Sequence, residues 1–372
     1  MSQHPTTFQD VVRKSWEQHL LFSVLLELTY RCNLNCFFCY NDLSLKGQAL
    51  SLDGYDKLLS DLADLQVFQL VVTGGEPLAH PDFFAIGAKA RDLGFVVRLK
   101  SNGHALSGDV ARRVREEVDP FLIEVSLHGS KASTHERQTR VEGSFDRLLE
   151  NIRSGRELGL RFKLQTTLTR WNEEELEDIF ELATDLGVPI HVDPVVTPRD
   201  GGDTSPLSVA PSREGIEKLL RLQREAVVNS SELEVSVGRD ADQWMPKNGP
   251  KKHCGAGAGG VAIDPFGNVY PCVQWRRPVG NVHEHSIQEI WHGSSALEDI
   301  RSSNEAVKEA IETRGAWGQA LNFCPGTAEV ETGSPLGIYG AARTRADLAR
   351  GLAGKMATPD RGPRKSLLPI VD

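Results

Sequence analysis

The feature that most restricts this chain is a rhythm. From Phe22 to Val237 short apolar runs alternate with longer amphipathic stretches. The short runs are Ser23–Leu28, Phe68–Val72, Val96–Lys100, Leu122–Leu127, Arg161–Leu168 and Pro189–Val192, each of strand length. Between them lie helical patterns such as Leu52–Leu65, Asp82–Leu93, Ser144–Leu158 and Glu173–Leu186. Gly94, Gly159 and Gly187 follow three of these at the helix-stop position. Strands alternating with helices make βαβ units and a parallel sheet. Six units predict an α/β fold, a partial (β/α)6 TIM-like barrel, two units short of the full barrel. In such barrels the chemistry sits where strands end, on the C-terminal face.

That face receives an unusual loop. Cys32-Asn33-Leu34-Asn35-Cys36-Phe37-Phe38-Cys39 follows the first strand and holds three of the chain's six cysteines. Three thiolates from one short loop suit a cubane iron–sulfur cluster and leave one of its irons without a protein ligand. A structural zinc site would close that position with a fourth ligand, whereas an open iron can bind substrate. Inert buried thiols, or zinc closed by a distant ligand, are the rival readings.

Other strand ends carry polar residues. Thr73-Gly74-Gly75-Glu76-Pro77 follows the second strand, and its two glycines permit close backbone approach to a ligand. Asn102, after the third strand, suits a carboxylate or a ribose hydroxyl, and Ser126, after the fourth, a ribose hydroxyl. Gln165, on the fifth, faces the same ligand if the strand alternates inward. His128 and Glu124 are the candidate catalytic groups; His135 is a second candidate base, and Asp193, like Glu124, lies near a strand end where it could line the cavity.

The cysteine loop and the glycine turn resemble the CxxxCxϕC and GGE motifs of the radical S-adenosylmethionine (SAM) enzymes, with Phe38 as the aromatic ϕ. The resemblance implies a [4Fe–4S] cluster on Cys32, Cys36 and Cys39 whose open iron chelates SAM. It implies that Gly74, Gly75, Glu76, Asn102 and Ser126 orient SAM. It also implies a 5′-deoxyadenosyl radical and a flavodoxin or ferredoxin-type electron donor.

Past a boundary near Gly238–Pro250 the composition turns to Gly, Pro and isolated cysteines. The segment from Cys254 to Cys272 reads as strand, glycine turn and return strand; Cys324 is the third cysteine. Short helices are expected over Ser286–Trp291 and Ala296–Ile300. Gly255–Gly260 fits G-x-G-x-x-G, but it precedes a hairpin and opens no helix, so a dinucleotide site is rejected. Through Tyr270-Pro271-Cys272, Gly280-Asn281-Val282 and Glu289-Ile290-Trp291 the segment resembles the SPASM/twitch extension of radical SAM peptide maturases. The full extension holds two clusters. Three cysteines leave room for one auxiliary cluster, with an open iron or a ligand such as His253, or for a fold that has lost its cluster. The expected division is 1–21 as an N-terminal segment, 22–237 as the barrel, 238–340 as a small α+β extension and 341–372 as a flexible tail.

A net charge of −9 argues against a general nucleic-acid binder. No apolar run approaches the roughly 20 residues that span a bilayer, and no secretory signal opens the chain. Clustered cysteines suit a reducing cytoplasm. Ser126–Ser130, His135, Gly143-Ser144-Phe145, Leu168–Asn172 and Thr197–Asp203 resemble, in that order, maturases related to the pyrroloquinoline quinone and mycofactocin enzymes. This implies a ribosomally made precursor peptide as substrate and a C–C or thioether crosslink as product. If all six cysteines hold clusters, none remains as the hydrogen-donating thiol of an epimerase. Few residues precede the first strand, so leader recognition, if any, is expected from a separate leader-peptide recognition protein, from the tail or from the extension. The alternatives are a peptide epimerase, a tetrapyrrole-processing radical SAM enzyme, and a non-catalytic cluster- or zinc-bearing binding module.

Overall fold

Six strands form where the rhythm places them: β1 (Ser23–Glu27), β2 (Gln69–Thr73), β3 (Val96–Ser101), β4 (Leu122–Ser126), β5 (Phe162–Thr167) and β6 (Ile190–Asp193). Each runs parallel to the next, as right-handed βαβ crossovers require. The computed structural model describes residues 8–229 and 253–355. Helices Leu52–Asp64, Phe83–Asp92, Ser144–Glu157 and Leu176–Asp185 cover the strands, the last entered through a 3-10 turn at Glu173–Glu175. The stop glycines at 94, 159 and 187 all take positive φ.

Strand alternation divides the residues sharply. Val97, Leu99, Ile123, Val125, Phe162 and Leu164 join the apolar core beneath the helices. Their neighbours Arg98, Lys100, Glu124 and Gln165 meet on the other side: Glu124 lies 2.5 Å from Arg98 Nη2 and 3.1 Å from Lys100 Nζ, and accepts from Gln165 Nε2 at 2.9 Å. The inward phase of β5 is thereby settled.

The extension does not stand apart from the barrel. β7 (Gly260–Ile263) pairs in parallel with the open side of β1, Ser23 opposite Gly260. β8 (Asn268–Tyr270) and β9 (Gly280–Asn281) continue antiparallel, so one nine-stranded sheet runs β6-β5-β4-β3-β2-β1-β7-β8-β9. The expected hairpin exists, and it hides the backbone edge that β1 would otherwise present. The expected boundary near Gly238–Pro250 lies outside the described residues. Helices Ile287–Gly293 and Ser295–Glu312 follow, the first closed by a Ser286/Glu289 capping box.

The flexible tail needs correction over its first part. Gly340–Lys355 is a helix, with Ala342 and Ala346 buried against Phe323 and Tyr339. Alanines are too small to register as an apolar stripe, and so the sequence hid it. Residues 356–372 lie outside the described residues. Among the described residues no helix is long and apolar enough to cross a membrane.

Candidate functional site

A cavity of about 340 Å³ opens at the strand ends. Cys32, Cys36, Phe38 and Cys39 line it, together with Gly74, Gly75, Asn102, Ser126 and Gln165. The sequence therefore names part of its wall.

Backbone contacts set the cysteine loop. Gly75 N–H donates to Thr29 O at 2.6 Å and Glu76 N–H to Arg31 O at 2.8 Å, laying the turn after β2 flush against the chain entering the loop. A Cβ on Gly74 would lie 2.4 Å from Thr29 O, and one on Gly75 2.5 Å from Arg31 O. On the far side Asn35 N–H donates to Thr139 O and Phe37 N–H to Gln138 O. Arg199 donates to the carbonyls of Phe37 and Cys39 at 3.1 and 3.0 Å. Asn102 Nδ2 reaches Cys32 Sγ at 3.8 Å and Asn33 Oδ1 at 2.7 Å.

Glu76 does not join the cavity wall. Only 2% exposed, it accepts from Asn102 N–H at 2.8 Å, Ser101 Oγ at 2.9 Å and Leu78 N–H at 3.1 Å. Burial raises its carboxyl to about 7, against three donors that favour the ionised form. It ties the β2 and β3 turns together.

The candidate catalytic groups are also engaged. Burial pushes Glu124 up, but Lys100 and Arg98 outweigh it and hold the carboxyl below its usual range. His128 packs edge-on against Phe38 at 4.6 Å between ring centroids, and its Nδ1 accepts Thr167 N–H at 3.4 Å. Burial, then His135, lowers it to about 3, which leaves a neutral imidazole and a poor base. His135 is lowered to about 4, and its Nδ1 accepts the His128 N–H at 3.1 Å. Both histidines brace the cavity's floor.

The donor chemistry of the loop suits an iron–sulfur cluster. Burial, then the neighbouring thiols, pushes Cys36 up; Cys39 rises to about 11. Such thiols become thiolates only beside a strong cation.

The second trio also converges: Cys254 feels both Cys272 and Cys324. Burial first, then a backbone bond that opposes it and the neighbouring thiols, leaves Cys254 at about 12; Cys272 reaches about 11. Cys324 caps helix Pro325–Thr332, its Sγ accepting Thr327 N–H at 3.5 Å. His253 has its Nε2 2.8 Å from Phe323 O, which commits one ring nitrogen. Gln274, two residues beyond Cys272, lines the large cavity and approaches Cys324 Sγ at 3.6 Å. Gln274 therefore stands between the cavity and Cys324.

Sequence reasoning missed the residues that join the two halves. Glu27, fully buried at the end of β1, receives Arg276 at 2.8 and 2.9 Å and the Tyr30 hydroxyl at 3.2 Å. Arg276 also lies 3.1 Å from Asp200. An acid inside the apolar run Val24-Leu25-Leu26-Glu27-Leu28 was the available signal.

Residues 26–183 match the radical SAM superfamily and residues 254–313 the SPASM iron–sulfur cluster-binding domain. The chain is 31% identical over 301 residues to pre-heme d1 synthase of Dinoroseobacter shibae, covering 74% of each chain. It is 29% identical over 295 residues to a PqqA peptide cyclase of Bradyrhizobium diazoefficiens, covering 76% of this chain and 75% of that one. Streptococcus suis SuiB bound to S-adenosylmethionine shares the fold, with a TM-score of 0.66 at 15% identity over 87% of this chain and 77% of that one. The chain is an enzyme and belongs to the radical SAM superfamily, with a SPASM domain following its barrel. Its cofactors are a [4Fe–4S] cluster with SAM and auxiliary iron–sulfur chemistry in the SPASM domain.

Proposed function

We propose that the chain is a peptide-modifying radical SAM oxidoreductase. Cys32, Cys36 and Cys39 are assigned to the SAM-binding cluster, with Gly74, Gly75, Asn102, Ser126 and Gln165 orienting SAM. Glu76 acts behind them by fixing the Asn102 turn. Cys254, Cys272 and Cys324 are assigned to one auxiliary cluster. When bound, cluster and SAM supply a 5′-deoxyadenosyl radical that removes a hydrogen from substrate. The barrel's part is to hold SAM against Phe38 and the strand ends, and to exclude water.

The observation that carries this reading is adjacency: the first thiol trio lines the cavity, Cys324 of the second trio lines the neighbouring one, and Gln274 lines both. A second redox station beside the reacting substrate suits net oxidation, hence an intrapeptide crosslink. Likeness to a PqqA peptide cyclase across three quarters of both chains supports a ribosomally made precursor as substrate. A leader-recognition protein and a flavodoxin or ferredoxin-type donor complete the proposal. The pre-heme d1 synthase relative favours a second reading, a tetrapyrrole substrate.

Anaerobically reconstituted enzyme tests the assignments through iron and 5′-deoxyadenosine. About eight irons per chain are expected, falling to about four in a Cys32/Cys36/Cys39→Ala variant that makes no 5′-deoxyadenosine. About four falling to none would remove the auxiliary cluster and with it the argument for crosslinking. On the peptide, loss of two hydrogens marks a crosslink; unchanged mass with an inverted centre marks epimerisation.

A further inference from the structure

Beside the large cavity lies a second, of about 210 Å³. His191 and Asp193 of β6 form one wall, and Gln223 of helix Arg213–Asn229 stands on another. Cys324, Tyr339 and Arg345 close it from the extension. Asp193 and Gln274 line both cavities, so the two adjoin.

Among the described residues this second space carries one cation, Arg345, one carboxylate, Asp193, and several hydrogen-bonding groups. Arg345, 6% exposed, comes from the helix Gly340–Lys355, whose packed face otherwise carries Ala342, Ala346 and Leu348. A guanidinium does not lose its proton, so its burial sets a permanent positive charge in the wall, with five donors in a planar fork. Tyr339, 3% exposed, accepts Cys324 N–H at 3.1 Å. A phenol that accepts through oxygen still has its own O–H to donate. Asp193 directs one oxygen to Val195 N–H at 2.9 Å. Burial, despite Asp193, lowers His191 and leaves a neutral imidazole opposite. A buried fork beside a phenol is the donor set that carboxylates select.

We propose that this cavity binds a carboxylate of the substrate through Arg345 and Tyr339, holding the substrate between the SAM-facing cavity and Cys324. The proposal rests on the radical SAM reading above. It does not depend on substrate class, because an acidic peptide side chain and a tetrapyrrole propionate present the same group.

The test uses cluster-loaded, SAM-bound enzyme under anaerobic calorimetry, with two matched pairs of probes. One pair is a capped Gly-Glu repeat peptide and its Gly-Gln counterpart; the other is mesoporphyrin IX and its dimethyl ester. In at least one pair the acid is expected to bind tenfold or more tighter than the neutral partner. Arg345→Gln should abolish that preference and Arg345→Lys should keep part of it, at unchanged iron content. Gln223→Glu adds a second carboxylate to the wall beside Asp193 and should weaken the preference severalfold, deciding the matter if Arg345→Gln fails to fold. Equal affinities within both pairs, absent binding included, would overturn the proposal, as would a preference that survives Arg345→Gln or Gln223→Glu. A preference for porphyrin acid alone keeps the cavity's role and overturns the peptide substrate. Equal affinities within both pairs, with the peptides bound, keep the peptide substrate and overturn the cavity's role.

Discussion

Gly74 combines a φ of +146° with a carbonyl oxygen 2.4 Å from where its Cβ would stand. Gly94 has a φ of +84° and open space around it. Gly94→Ala is therefore expected to cost about 1 kcal/mol, the left-handed penalty alone. Gly74→Ala must also move the Thr29 backbone, and about 3 kcal/mol with lost iron is expected. Thermal melts and iron assays on both variants check this, and equal losses would refute it. The glycine pair was legible as a motif, but its physical reason was not: the close approach is to the chain entering the cysteine loop. Glu124 gives a pH prediction. Its folded carboxyl is depressed, so its stabilisation is present above the unfolded pKa of about 4.3 and lost as pH falls through the folded value. Denaturant melts of wild type and Glu124→Gln should differ most near neutrality and converge in acid. A gap that widened in acid would contradict the ion pairs with Arg98 and Lys100.

Among the elements, strands and covering helices were legible because their periods of 2 and 3.6 are local. Helix Gly340–Lys355 was not, since its inward face offers alanines, one leucine and an arginine. Ala346→Asp would bury a carboxylate against Phe323 and Tyr339, at an expected cost of about 3 kcal/mol or more. Because that helix supports the Cys324 segment, iron should fall from about eight to about four per chain while SAM still binds. Full iron in this variant would show that the helix does not support that segment. At the capping box, Ser286→Ala should cost about 1 kcal/mol and leave the iron unchanged. A shift in Tm beyond what that loss produces would mean that Ser286 does more than cap.

For the whole molecule, the union of barrel and extension rests on Arg276 as well as on the sheet. Arg276→Met leaves Glu27 buried without its cation, and about 3–5 kcal/mol should be lost. Adding Glu27→Gln should restore much of it, and a double variant no better than the single would place the loss elsewhere. Beyond the acid at Glu27, the strand pairing in this union left no mark in the sequence, because a pairing of Ser23 with Gly260 has no local periodicity. It has a consequence for the order of events at the ribosome. β1 is the first barrel strand to emerge, yet its second neighbour is synthesised only after all five other barrel strands. The nascent barrel therefore waits with one seam unzipped, its first cysteine loop hanging beside that seam, until the SPASM hairpin arrives to fasten it.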